Sequence, residues 1–262
     1  MKKDYLGVAI LAAKEAGKIH RKYFNTNFRT RTKTTSFDLL TIADVKAESV
    51  VVKAIKKHFP GHNFLCEENK YKKTDSHYTW IIDPLDGTSN FASRLPIFCV
   101  SIALAKDKEV VVGVIYDAIH DELFYAQKGK GAFLNKKRIR VTNTRSLKQS
   151  LLITGFYYDR GGEMERNLLN IKKFFIARIR GLRRLGAAAL DFCYVACGRA
   201  SGFWEFQLSP WDFAAGVLLV REAGGKVTDQ FGGKINIESS YIVASNGKIH
   251  NKMLKILQSR TV

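Results

Sequence analysis

Cysteine is scarce in this chain, 4 in 262 residues. Cys66, Cys99, Cys193 and Cys197 form no C-x-x-C pair, which excludes a disulfide framework and a zinc or redox motif of that spacing. The 6 histidines are scattered and offer no H-E-x-x-H element, so any bound metal has to be hard and oxygen-ligated. No apolar run reaches the roughly 18 residues of a membrane span. The amino end MKKDYLGVAI passes into a helical pattern without the small-residue cleavage site of a secretory signal. Acidic residues are also in deficit, 24 Asp+Glu against 43 Lys+Arg. What is plentiful is apolar: 46% hydrophobic and 11% aromatic residues, enough to offset the entropy of ordering the chain. A globular protein of one large domain or two closely joined ones is expected, in a reducing, cytoplasmic setting and with no membrane partner.

The net charge of +19 suits nucleic acid or another polyanion. Its distribution weakens that reading. The cations fall in separate short clusters at 29–33, 70–73, 136–140 and 178–184, and none builds an aromatic stacking platform. Solvated faces are the simpler account, and a nucleic-acid partner stays secondary.

Helical spacing predicts a first helix over 5–23 and a second over about 41–59, with Val45, Val52, Ile55 and Phe59 inward. The period then changes. Runs at 79–83, 97–105, 110–116, 122–126 and 131–135 are β-rich and closely spaced, which implies an antiparallel sheet. After about residue 146, candidate strands at 151–156, 178–183, 202–206 and 241–245 alternate with helical stretches at 186–197, 211–223 and 248–257. That alternation predicts a mixed sheet flanked by helices. Residues 1–145 are thus expected to form an α+β half carrying a strand-turn motif, and 146–262 an α/β half supplying the remaining site residues. The default ligand position is the cleft between them.

The informative stretch is WIIDPLDGTSNF at 80–91. An apolar strand leads into Asp83, a proline-fixed turn, then Asp86, Gly87, Thr88 and Ser89. Two carboxylates brought together by one turn repel unless a cation lies between them. Glu67 and Glu68 follow another apolar run, and Asp212 follows Pro210-Trp211 at a helix start. Such an all-oxygen set without histidine is the type that binds Mg²⁺. Gly87 and Thr88 would offer backbone N–H groups to an anion, and phosphoryl chemistry follows. Each piece alone also reads as something plainer: a turn, a solvated loop, or a helix-capping acid.

Together these blocks, with GAAALDFCYVACGRASGFWEF at 186–206 and VREAGGKVTD at 220–229, resemble the inositol monophosphatase family over nearly the whole chain. The resemblance implies a layered αβαβα sandwich and a Mg²⁺-dependent, lithium-sensitive phosphomonoesterase acting on myo-inositol 1-phosphate or a related polyol phosphate. It implies two to three ions per site: Glu67, Asp83 and the carbonyl of Leu85 at the first, Asp83, Asp86 and Asp212 at the second, with Glu67 also reaching a third. Glu68 is implied as a supporting residue of that corner. Asp44 and Thr88 resemble the pair that activates the attacking water, although Thr41 to Asp44 equally reads as a helix capping box. Lys33 and Asp38 fall in a segment that closes over the metals in the family. Glu205, Gly186, Ala187 and Ala188, with Gly87, Thr88, Ser89 and Asp212, resemble substrate-binding positions, Ala187 replacing a frequent Ser or Thr. The resemblance also implies a homodimer. Fructose 1,6-bisphosphate, histidinol phosphate or a 3′-phosphoadenosine nucleotide are alternative substrates on the same fold, and an added RNA or transcription-machinery role is an alternative of another class.

Overall fold

The computed structural model describes residues 4–26, 30–32, 39–156 and 161–259. Lys33 and Asp38 lie outside them. The chain opens with α1 (Tyr5–Phe24), capped by the Asp4 carboxylate, which accepts from the Gly7 N–H at 2.8 Å. A two-stranded ribbon of β1 (Thr30–Thr32) and β2 (Leu39–Thr41) leads into α2 (Ile42–His58). On α2 the expected inward Val45 is instead 44% exposed. The buried face runs through Ala43, Asp44, Ala47, Glu48, Val51, Val52 and Ile55. Successive residues stand about 100° apart around a helix, so with Asp44 and Glu48 on the buried stripe Val45 falls off it toward solvent.

The first sheet holds β3 (Asn63–Cys66), β4 (Tyr78–Asp86), β5 (Cys99–Lys106), β6 (Glu109–Asp117), β7 (Glu122–Gln127), β8 (Gly131–Leu134) and β9 (Lys137–Ile139), paired in that order. A short helix, α3 (Thr88–Ala92), stands between β4 and β5. All pairs are antiparallel except β3 with β4, which run parallel with Cys66 opposite Ile82. The connection over 67–77 has to return across the sheet end, so the carboxyl ends of both strands open at one edge.

The second sheet is mixed and ordered β11-β10-β12-β14-β13. It is built from β10 (Leu151–Thr154), β11 (Gly181–Arg183), β12 (Gly202–Glu205), β13 (Lys226–Thr228) and β14 (Ile242–Ser245). Its helices are α4 (Gly162–Ile176), α5 (Ala188–Ala196), α6 (Pro210–Glu222) and α7 (His250–Gln258); α4 is not among the helices expected from spacing. The layers follow the predicted α+β sandwich. Helices α1 and α2 cover one face of the first sheet, α5 and α6 fill the space between sheets, and α4 and α7 back the second sheet. An unbroken buried run from Phe213 to Val220 fits a helix with a sheet on either side. At Gly113 on β6 a Cβ would stand 2.8 Å from the Ala215 carbonyl oxygen, so only glycine lets α6 approach this closely.

Behind the second sheet, His250 is fully buried and bridges Thr228 Oγ1 and Ser245 Oγ, each at 2.9 Å. Thr228 donates its proton to the Asp229 carbonyl, so it accepts from His250 Nε2–H, and Ser245 donates to Nδ1. The ring is neutral, and burial pulls its pKa down to about 4. The unfolded chain therefore takes up a proton that the native state refuses, and this part of the stability is lost as pH falls from about 6.5 toward 4. The unfolding free-energy difference between wild type and His250→Gln should shrink across that window. Denaturant titrations at pH 7.5 and 4.5 check it, and an unchanged difference would rule out the neutral bridge.

Candidate active site

The two sheets and the α5/α6 layer meet around a pocket of about 320 Å³, lined among others by Glu67, Asp83, Leu85, Asp86, Glu205 and Asp212. Strand register creates its centre. Cys66 opposite Ile82 puts Glu67 beside Asp83, and the Glu67 N–H donates to the Ile82 carbonyl at 3.2 Å. A bulge in the β4–β5 pairing between Asp83 and Asp86 then turns the strand end, and Asp83 Oδ1 accepts from the Leu85 N–H at 2.9 Å. Gly87 takes φ 93°, which starts α3 and brings Thr88 and Ser89 to the pocket wall.

The other sequence blocks approach from the far half. Asp86 accepts from the N–H groups of Ala188 at 3.2 Å and Ala189 at 2.7 Å, a helix start clasping an anion. Asp212 closes a capping box on α6, accepting from the Ser209 N–H at 2.7 Å. Glu205, at the end of β12, lies over Gly155, where a Cβ would fall 1.9 Å from its Oε2. Gly186 and Ala188 line the pocket, whereas Ala187 faces inward, 1% exposed, its Cβ against Gly87. Glu68 lies outside the lining; its N–H donates to the Glu48 carboxylate at 3.0 Å.

Asp44 closes the capping box of α2 and also faces Thr88. Its Oδ2 accepts from the Thr41 N–H at 2.7 Å and hydroxyl at 2.6 Å, while Oδ1 faces Thr88 Oγ1 at 3.0 Å. Thr88 Oγ1 also lies 3.0 Å from the Leu85 carbonyl.

Crowding these acids is costly. Burial, then Glu67, Asp86 and Asp212, pushes the Asp83 carboxyl well above its ordinary range. Burial and then Glu67 do the same to Asp212. Asp86 is pushed up to about 7, chiefly by burial, against the opposing pull of the Ala189 N–H. Burial and then Asp86 raise Glu205 to about 8, with Arg184 opposing. Asp83 and Glu67 stand in side-chain hydrogen-bond contact, a pairing that needs a shared proton or a cation. Among the described residues no three Asp, Glu, His or Cys side chains are already arranged as a finished chelate. The donors nevertheless fit a hard divalent ion: they are all oxygens, they repel one another, and backbone N–H groups fix Asp86 and Asp212 in place.

Three neighbours carry no motif in the sequence. Glu48, fully buried on α2, accepts from the Glu68 N–H, from Asn69 at 2.7 Å and from the Tyr71 hydroxyl at 3.0 Å, which holds the loop that delivers Glu67. Arg184 is the one cation among the described lining residues. Asp191 is buried with neither carboxylate oxygen hydrogen-bonded, and burial drives its pKa well up. Only the i, i+4 spacing of Asp44 and Glu48 on an apolar helix signals any of them.

A layered fold of two sheets closing around a pocket of clustered carboxylates is the build of a phosphatase of the layered sugar-phosphatase class. The profile of the inositol monophosphatase family matches residues 1–261, and the chain belongs to that family. It is 41% identical over 256 residues to the inositol-1-monophosphatase of Mesorhizobium japonicum, covering 97% of this chain and 96% of that one. It is 42% identical over 251 residues to the protein named Nus factor SuhB of Salmonella typhimurium, covering 95% and 94%. The crystal structure of the extragenic suppressor protein suhB from Bartonella henselae superposes with a TM-score of 0.92 at 40% identity, covering 97% of this chain and 98% of that one.

Proposed function

We propose that the protein hydrolyses myo-inositol 1-phosphate or a closely related polyol phosphate, with Mg²⁺ held by Glu67, Asp83, Asp86, Asp212 and the Leu85 carbonyl. The observation that carries this reading is the set of mutually repelling, all-oxygen donors in one pocket. When bound, Mg²⁺ lowers the pKa of water and offsets charge on the leaving alkoxide. The chain's own groups do the rest. Thr88 Oγ1 has a lone pair free to accept from the attacking water while its proton is directed to Asp44 Oδ1, and Asp44 is locked by Thr41. Gly87, Thr88 and Ser89 form the wall against which the phosphoryl group rests. Glu205 and Arg184 face the alcohol portion from the opposite end, with Gly186 and Ala188 leaving room for a ring. Lys33 and Glu68 complete the proposed set as accessory residues, and the proposed unit is a cytoplasmic homodimer.

A phosphate-release panel tests it. Inositol 1-phosphate should exceed fructose 1,6-bisphosphate, histidinol phosphate and 3′-phosphoadenosine 5′-phosphate in kcat/KM, release should require Mg²⁺, and lithium should inhibit. Glu205→Gln should raise KM for the inositol ester about tenfold, because a buried acceptor of a hydroxyl is weakened. Equal rates on all four esters would overturn the substrate choice.

The relative named as a Nus factor, with the charge of +19, supports a second role on nucleic acid. RNA binding should then weaken steeply with salt and survive Asp86→Asn. Absence of binding at about 150 mM salt removes that role.

A further inference from the structure

A cavity of about 670 Å³ shares helix α6 with the catalytic pocket and none of its lining residues. Its floor is apolar, formed by Val110, Phe213, Val217, Leu218, Ile235 and Ile237. Its rim carries charge of both signs, and the two signs are not in balance. Every rim carboxylate is already engaged. Glu109 pairs with Lys128 at 2.6 Å, and Asp107 pairs with His77 at 2.6 Å. Both oxygens of Glu222 accept backbone N–H groups, from Gly129 and Gly131, at 2.7 Å each. Lys108 is likewise taken, by Glu238 at 2.7 Å. Two cations are left over, Arg221 and Lys234, and neither has an ion-pair partner among the described residues. Both stand exposed at the rim.

Two exposed cations without an ion pair, set beside an apolar floor, complement a ligand that joins an anionic head to an apolar body. We propose that this cavity is a binding site for a small amphiphilic anion, an aliphatic or aryl-alkyl carboxylate whose head group pairs with Arg221 and Lys234 and whose chain lies on Val217, Leu218, Ile235 and Ile237. The guanidinium fork matches a carboxylate in two parallel hydrogen bonds. The volume lies within the ordinary range for small-molecule pockets with an apolar lining and a few polar anchors. The cavity uses none of the catalytic carboxylates, so the site stands or falls apart from the phosphatase reading.

Calorimetric titration with octanoate, octanol and octylamine tests the assignment on the full chain. Octanoate should saturate a single site, octanol should bind about tenfold more weakly, and octylamine should not bind. The double variant Arg221→Gln/Lys234→Gln should lose the octanoate preference while its phosphate-release rate stays at the wild-type level. If that variant fails to fold, Arg221→Lys serves instead: it keeps the charge, removes the fork, and should weaken octanoate alone. Octanol binding as tightly as octanoate, or octanoate binding unchanged in the double variant, overturns the proposal. So does a concentration-dependent self-association that Arg221→Gln/Lys234→Gln abolishes, since it would give the cavity to a second copy of the chain.

Discussion

Replacing Asp86 by Asn should lower phosphate release by about a thousandfold or more, since the loss of several kcal/mol of charge stabilisation at tenfold per 1.36 kcal/mol reaches that size. Asp86 is where the two halves of the pocket meet. It leaves the first sheet at the end of β4 and is held by two N–H groups at the start of α5. The same variant should make the metal-free protein melt at a higher temperature at pH 8. The native carboxyl titrates near 7 because burial opposes its charge, so the ionised side chain destabilises the fold increasingly as pH rises above the unfolded value near 4 toward 7. Asn removes that penalty, and its oxygen keeps the shorter bond, the one from Ala189. At pH 5 the native carboxyl is protonated while the unfolded one is already ionised, so the gain should be well below that at pH 8, and it should vanish only at about pH 4 and below. Mg²⁺ should raise the wild-type melting temperature and move the variant far less. Scanning calorimetry at the two pH values, with and without Mg²⁺, reads all of this. Near wild-type turnover in the variant, or an equal Mg²⁺ shift in both proteins, would remove Asp86 from the ligand set.

Much of this site is legible in the amino-acid sequence itself, and the reason is local chemistry. The turn from Asp83 to Gly87 needs its proline, its two acids and its glycine within five positions, and the folded chain uses each of them there. Pro210 and Asp212 likewise read as a helix start and are one. The strands are legible for the same reason, because a run buried on both faces, as in β5, is apolar without alternation. What escapes depends on distance along the chain. The parallel register that sets Glu67 against Asp83 is made by pairing β3 with β4 across an intervening loop, and periodicity carries no information about such a partner. Glu48 and Asp191 carry no motif, yet both are buried, Glu48 holding the 68–71 loop and Asp191 lying near Glu205 and Asp86. Val45 departs from its expected place for the complementary reason: with Asp44 and Glu48 inside, the apolar residue between them has to face water. Arg184 lies within a basic run that reads as solvated surface, while the fold carries it to the mouth of an acidic pocket.

The double use of Asp44 leads to the second large effect. One oxygen of this carboxylate holds the amino end of α2 and the other faces Thr88. A structural role and a role in moving a proton therefore predict different variants. If Asp44 only capped the helix, Thr88→Ala would be nearly silent, since the Thr88 hydroxyl reaches α2 through Oδ1 alone. If Thr88 and Asp44 relay a proton, Thr88→Ala should cost about a hundredfold or more in kcat, the usual worth of a positioned acid–base group, with KM little changed. Thr88→Ser, which keeps the hydroxyl, should restore most of the rate. Asp44→Asn should match Thr88→Ala in kcat and, in addition, lower the melting temperature, because an amide has one accepting oxygen: turned to Thr41 it sets its NH2 against the Thr88 hydroxyl, and turned to Thr88 it gives up the cap. The stability loss should be about 1 kcal/mol, the ordinary value of a helix cap. The double variant Asp44→Asn/Thr88→Ala should then be no slower than either single one, because a relay broken at one member has nothing left to lose at the other. Steady-state kinetics with thermal melts separates the cases, and losses that multiply in the double variant would show that the two residues act independently.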